Sequence, residues 1–91
     1  MGSYWVYILR CSDGSLYTGY TTDLARRLRA HLSGKASKYT RSRLPVTLAH
    51  SEKAASREGA LRREAQIKKL TRREKLSLCG AHEVKQKQGL R

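Results

Sequence analysis

The sequence predicts an α+β fold of element order β-β-α-β-α-α, a three-stranded mixed or antiparallel sheet flanked by helices. Three observations predict it. An aromatic and β-branched run near the N-terminus is followed by a turn signal and a second such run, the pattern of a hairpin. Leucines then recur at every fourth residue, which is helical spacing. Further on, a charged segment with a sparse apolar stripe ends at a Thr-x-x-Glu box, which marks a helix start.

Taken in order, residues 4–11 form the first strand. Tyr-Trp-Val-Tyr-Ile-Leu is apolar on both faces, so the strand belongs at the sheet centre. Ser12-Asp13-Gly14-Ser15 is a turn, and residues 16–20 are the second strand. Thr21 or Thr22 caps a helix, with Asp23 near its positive end. Leu24, Leu28 and Leu32 share one face of it, and Ser33-Gly34 ends it. Residues 34–45 are a basic loop carrying Lys35, Lys38, Arg41 and Arg43 and no acid. Pro45 leads into a short third strand over 46–50. A second helix is expected over 54–70, entered near Ser51 or Ser56. The Thr71–Glu74 capping box starts a third, to about Leu78. The domain is thus expected over 1–78, with a basic, mobile tail over 79–91.

Length and composition narrow the function. Ninety-one residues make one small domain. Twenty Lys+Arg against seven Asp+Glu give +13, which asks for an acidic partner, nucleic acid before all others. A solvated basic surface, a ribosome-associated protein and acidic lipid are the alternatives. No apolar run approaches the ~18 residues of a membrane span, and no membrane partner is expected. The N-terminus has no secretory pattern. Two separated cysteines and three scattered histidines make no zinc pattern. The cytoplasm, with nucleoid association, is the expected compartment.

Some residues are not explained by a fold alone. At about 100° per residue, Ala60, Glu64 and Ile67 fall on one stripe with Leu61 beside it, so a carboxylate stands in the face that packs on the sheet. An unpaired buried carboxylate is costly, so Glu64 must meet a cation, either Arg or Lys or a divalent metal. Arg62, Arg63, Gln66 and Lys69 point elsewhere. Arg27 and His31 are i and i+4 neighbours along the leucine stripe, either surface decoration or the wall of a cleft where Arg27 grips phosphate. The chain has five Tyr, one Trp and no Phe. Tyr7 and Tyr17 are either half-exposed sheet residues or phenols converging on a reaction centre. A two-residue Asp13-Gly14 turn puts them on opposite faces. A three-residue Ser12-Asp13-Gly14 turn puts them on one face.

At these residues the sequence resembles the GIY-YIG nuclease superfamily. Val6-Tyr7 stands where the family has Ile-Tyr, and Tyr17-Thr18-Gly19 where it has Tyr-Ile-Gly. Arg27 follows Tyr17 by ten, His31 follows Arg27 by four, and Ala60-Leu61-Arg62-Arg63-Glu64 resembles the segment with the family's metal-binding glutamate. The resemblance covers roughly 4–78. It is nearest to small stand-alone bacterial GIY-YIG proteins, then to the nuclease subunit of Slx-type endonucleases. Thr18 departs from the usual apolar residue. Tyr20 stands where many members have Lys, so no lysine role carries over.

The resemblance implies metal-dependent hydrolysis of phosphodiester bonds, in DNA more than RNA, in a repair or recombination setting. It implies one Mg²⁺ or Mn²⁺ on Glu64, Arg27 on the developing phosphoryl charge, and a water deprotonated with help from Tyr7 or Tyr17. The phenol then needs a pKa lowered by Arg27 or the metal. His31 is an alternative base or an orienter. Lys35, Lys38, Tyr39, Arg41, Arg43, Arg62, Arg63 and Lys69 are the expected nucleic-acid contacts, with Tyr39 touching backbone or stacking on a base. A monomer is expected, with a partner subunit as one source of specificity. The competing readings are a non-catalytic basic binding module and an adaptor subunit.

Overall fold

The computed structural model describes residues 3–89, with side chains described through Gly80. Its elements are β1 (Tyr4–Arg10), β2 (Leu16–Thr21), α1 (Leu24–Leu32), α2 (Lys38–Arg41), β3 (Thr47–Ala54), α3 (Arg57–Lys69) and α4 (Arg72–Gly89). The expected order holds, with one added helical turn, α2, inside the basic loop. Strand order is β2-β1-β3, with both pairings antiparallel. The doubly apolar β1 is central.

The hairpin takes the three-residue turn. Leu9 pairs with Tyr17 and Tyr7 with Gly19. Cys11 N–H donates to Ser15 O at 2.9 Å, and Gly14 holds φ +85°, a conformation that costs a residue with a side chain. Asp13 Oδ1 fixes the turn by accepting from Ser15 N–H and Oγ–H.

Because side chains alternate, β1 supplies two cores. Val6 and Ile8 pack with Ala60 and Ile67 of α3 and Cys79 of α4. Tyr7 and Leu9 pack with Cys11 and Val46, and against Leu24 and Leu28 of α1. The sheet is therefore a middle layer between α1 and the α3–α4 pair.

Several local expectations change. Asp23, rather than Thr21 or Thr22, is the α1 N-cap, and its carboxylate accepts from Arg26 N–H at 3.1 Å. Leu32 is 45% exposed, and His31 is buried in its place. The reason is helical drift: i+7 returns within about 20° of Leu24, whereas i+8 lies about 80° away. β3 runs on to Ala54 rather than stopping at His50, with a bulge where Ile8 pairs with His50 but Leu9 with Leu48. α3 starts after Ser56, whose hydroxyl accepts from Gly59 N–H. The Thr71–Glu74 box forms with both reciprocal bonds. Its helix runs to Gly89 rather than Leu78, and Cys79 is buried in the core. Of the tail expected over 79–91, the side chains beyond Gly80 and residues 90–91 lie outside the described residues.

Candidate functional site

The hairpin register turns Tyr7 and Tyr17 to the same face, toward α1. Gly19, opposite Tyr7, lets the phenol lie across the strand: a Cβ there would stand 2.7 Å from the Tyr7 oxygen. His31 reaches down from the last turn of α1. Its Nε2 lies 2.9 Å from the Tyr7 hydroxyl and its Nδ1 2.8 Å from Thr40 Oγ1, so both ring nitrogens are engaged. The Tyr17 ring packs edge-on against His31, centroids 5.2 Å apart, and stacks on Tyr39 at 5.9 Å. The Arg43 guanidinium lies 3.8 Å from the centre of the Tyr39 ring.

A cleft of about 460 Å³ opens at the β2 edge. Tyr7, Tyr17, Gly19 and Tyr20 line it from the sheet, Arg27 from α1, and Arg57 and Glu64 from α3. The two helical layers thus meet around the edge strand. His31 lies behind Tyr7 rather than in the wall. The Glu64 side chain is 16% exposed and pairs with Lys68 Nζ at 3.4 Å, one turn along α3. That is the cation partner the burial argument required. Among the described residues, no group of three or more His, Cys, Asp or Glu is gathered for a metal.

Burial raises the Tyr7 pKa, and the neighbouring Tyr17 and Glu64 add to the rise, while Arg27 works against it. Burial lowers the His31 pKa, and Arg27 lowers it further. The pair at rest is therefore a neutral phenol and a neutral imidazole. A Tyr7 phenol lowered by Arg27 is not what the site holds, because desolvation outweighs the single nearby guanidinium.

The basic residues divide. Lys35, Lys38 and Arg41 are exposed on and beside α2, next to the cleft through Tyr39 and Thr40. Arg43 is turned inward, bonding Asp13 Oδ2 at 3.0 Å and the Tyr39 carbonyl at 2.9 Å. Tyr39 is 37% exposed, with its ring engaged by Tyr17 and Arg43 before any base arrives. Arg63 does not point outward: it grips Glu52 of β3 with two bonds of 2.8 and 2.9 Å. Arg62 and Lys69 are exposed but do not line the cleft. Two residues escaped the sequence reading. Arg57 had a signal, since it stands seven residues before Glu64 on the same stripe. Thr40 had none, because a threonine in a basic loop gives no sign of being buried.

The family model described as the GIY-YIG catalytic domain matches residues 3–77. The UPF0213 protein of Streptococcus agalactiae is 52% identical over 82 residues, covering 90% of this chain and 93% of its own. That of Syntrophus aciditrophicus is 56% identical over 79 residues, 86% of this chain and 91% of its own. The solution NMR structure of the UPF0213 protein of Bacillus halodurans superposes with a TM-score of 0.57 at 49% identity, covering 87% of this chain and 84% of that one. An NMR structure of a protein from E. faecalis gives 0.62 at 43% identity, covering 92% and 90%. Matched by the catalytic-domain model from the first strand into α4, and alike over most of its length to these small proteins, the chain belongs to the GIY-YIG family.

Proposed function

We propose that the protein is an endonuclease that hydrolyses phosphodiester bonds in nucleic acid, DNA before RNA, with one divalent cation. The observation that carries this reading is a single cleft in which Tyr7 and Tyr17 meet Arg27 and Glu64, beside a cluster of exposed cations.

One carboxylate among hydroxyl groups fits Mg²⁺ or Mn²⁺, which keep several waters and take the rest of their shell from a substrate phosphate. Glu64 is the residue to hold the ion, which when bound supplies Lewis-acid polarisation of the scissile phosphate. Arg27 makes no ion pair among the described residues, and its planar fork suits the phosphoryl oxygens. Tyr17 is the favoured group to guide the proton off the attacking water. Tyr7, protonated and held by His31, sits beside it as the partner that fixes the water's orientation. His31, with both nitrogens engaged, acts as an orienter. Lys35, Lys38, Arg41 and Arg57 hold flanking phosphates.

A second reading is favoured by one contact: the Glu64–Lys68 pair is what a non-catalytic binding module requires. Its strength decides little, since an i,i+4 pair with Lys68 57% exposed is worth about 0.3–0.5 kcal/mol and yields easily to a divalent ion. The test is cleavage of labelled single-stranded, duplex, flapped and branched DNA and RNA, with and without Mg²⁺ or Mn²⁺. Metal-dependent products are expected. Glu64→Ala should abolish cleavage and leave binding in a gel-shift titration nearly unchanged. Cleavage by a folded Glu64→Ala protein at the wild-type rate rejects the metal role, and binding without turnover under every condition supports the module.

A further inference from the structure

Thr40 is fully buried although it lies in the most basic and least apolar stretch of the chain. It sits on the four-residue α2 turn, and its hydroxyl contacts His31 Nδ1 at 2.8 Å and the Ser37 carbonyl at 3.3 Å. A carbonyl can only accept, so along that contact the threonine proton goes to Ser37, whose carbonyl also takes Arg41 N–H at 3.0 Å. The hydroxyl oxygen is then left to accept from His31, which must carry its proton on Nδ1. A neutral imidazole protonated on Nδ1 has a bare Nε2, and the Tyr7 hydroxyl at 2.9 Å donates to it. In that direction the series runs Tyr7 to His31, His31 to Thr40, Thr40 to Ser37; the reverse series, Thr40 to Nδ1 and Nε2–H to Tyr7, is the alternative that the tautomer distinguishes.

We propose that Thr40 is a positioning residue: by fixing the Nδ1–H tautomer of His31, it commits the Tyr7 proton inward and turns the Tyr7 oxygen lone pairs toward the cleft. The consequence is chemical. With the proton inward, Tyr7 presents an acceptor to a water at the cleft wall. With the opposite tautomer, His31 Nε2–H donates to Tyr7, the phenol proton swings into the cleft, and the same side chain presents a donor. Acceptor and donor are opposite instructions to a water nucleophile. This deepens the nuclease reading and rests on it for the role of the water, whereas the tautomer itself does not depend on it. The neighbouring Tyr39 of the same turn stacks on Tyr17, so α2 braces Tyr17 directly and Tyr7 through His31.

The test separates the two levels. Long-range ¹⁵N–¹H spectra of His31 read the tautomer directly in the wild type, Thr40→Ser and Thr40→Val, without any substrate. Nδ1–H is expected in the wild type and in Thr40→Ser, which keeps the hydroxyl. Thr40→Val removes the acceptor from a buried N–H and should move the proton to Nε2. Single-turnover cleavage of the DNA panel should fall about 10- to 100-fold in Thr40→Val and recover in Thr40→Ser. If Thr40→Val does not fold, Thr40→Ala removes the same hydroxyl without the β-branch. A wild type protonated on Nε2, a tautomer indifferent to loss of the hydroxyl, or a switched tautomer with unchanged cleavage each overturns the proposal. A wild type that cleaves nothing defeats the nuclease reading, and the spectra still decide the role of Thr40.

Discussion

Gly19 and Arg27 show how single side chains are constrained by the cleft. A methyl group at position 19 would press within 2.7 Å of the Tyr7 oxygen and 2.9 Å of its ring carbon. The ring cannot retreat freely, because the hydroxyl is held by His31 and the ring is buried against Leu24 and Leu28. Gly19→Ala is therefore expected to break the Tyr7–His31 bond and cost about 1–3 kcal/mol, the usual penalty for forcing volume into a packed site. Urea unfolding and the Tyr7 and His31 ring resonances check this, and a variant with wild-type stability and unshifted resonances contradicts it. Arg27 is exposed in the same cleft and makes no ion pair among the described residues, so its substitution probes chemistry more than folding. Arg27→Lys keeps the charge and loses the planar fork. Single-turnover rates should fall by roughly 2–4 kcal/mol in barrier, with affinity much less affected. Weaker binding with an unchanged rate at saturation makes Arg27 a docking residue.

Among the elements, β3 and α3 are joined by a polar clamp that the sequence concealed. His50 and Glu52 pair with Ile8 and Val6 and so face α3, where an apolar strand would be expected. Arg63 answers with a bidentate grip on Glu52, and His50 Nε2 adds a contact of 2.7 Å. The Arg63 bonds chiefly, with help from His50, hold the Glu52 pKa at about 2 against an ordinary 4.5. Between those two values the unfolded chain binds the extra proton, so acid favours unfolding. The clamp's contribution is full above about pH 4.5 and is lost as the pH falls toward 2. With both side chains partly exposed, it is worth on the order of 1–2 kcal/mol. Glu52→Gln should lower stability by that amount at pH 7, and the gap to wild type should close by pH 2–3 in denaturant titrations. A gap constant with pH would reject the assignment. The same clamp explains what the sequence withheld. Ser51 reads as an entry cap of the helix expected over 54–70, so the third strand is expected to stop at His50, and Arg63 is expected in solvent. By contrast, β1 was legible because both its faces are apolar, and the α4 start because the capping box is local. The hairpin was legible only as two alternatives, since the choice between them lies in the left-handed Gly14 and not in composition. The order of Tyr7, Tyr17, Arg27, His31 and Glu64 was readable, but the burial of His31 was not, because a leucine at i+8 masked a histidine at i+7.

For the whole molecule, the distribution of charge decides how nucleic acid is held. The count of twenty Lys and Arg overstates the grip, because Arg43 is tied to Asp13, Arg63 to Glu52 and Lys68 to Glu64. The exposed cations around the cleft are Lys35, Lys38 and Arg41 on and beside α2, with Arg27 and Arg57 in the wall, and in the proposed function these meet the phosphates. Five phosphate contacts on duplex DNA correspond to a fall of log K with log salt of slope about −4 to −5. The contacts are to backbone, so scrambling the sequence of the duplex should change affinity little. Replacing Lys35, Lys38 and Arg41 together by Gln removes three contacts, and the slope should flatten by about 2.7. Thr40 and Tyr39 keep α2 anchored in that variant, so its fold and the tyrosine geometry should survive. Replacing Arg62 and Lys69 by Gln should leave the slope nearly unchanged, since neither lines the cleft. Fluorescence anisotropy titrations of a labelled duplex from low to moderate salt separate the cases. A steep slope lost with the α2 cations maps the path of the backbone past the cleft. A steep slope lost instead with Arg62 and Lys69 moves that path to the outer face of α3. A slope near zero in the wild type removes nucleic acid as the partner and leaves the adaptor reading in its place.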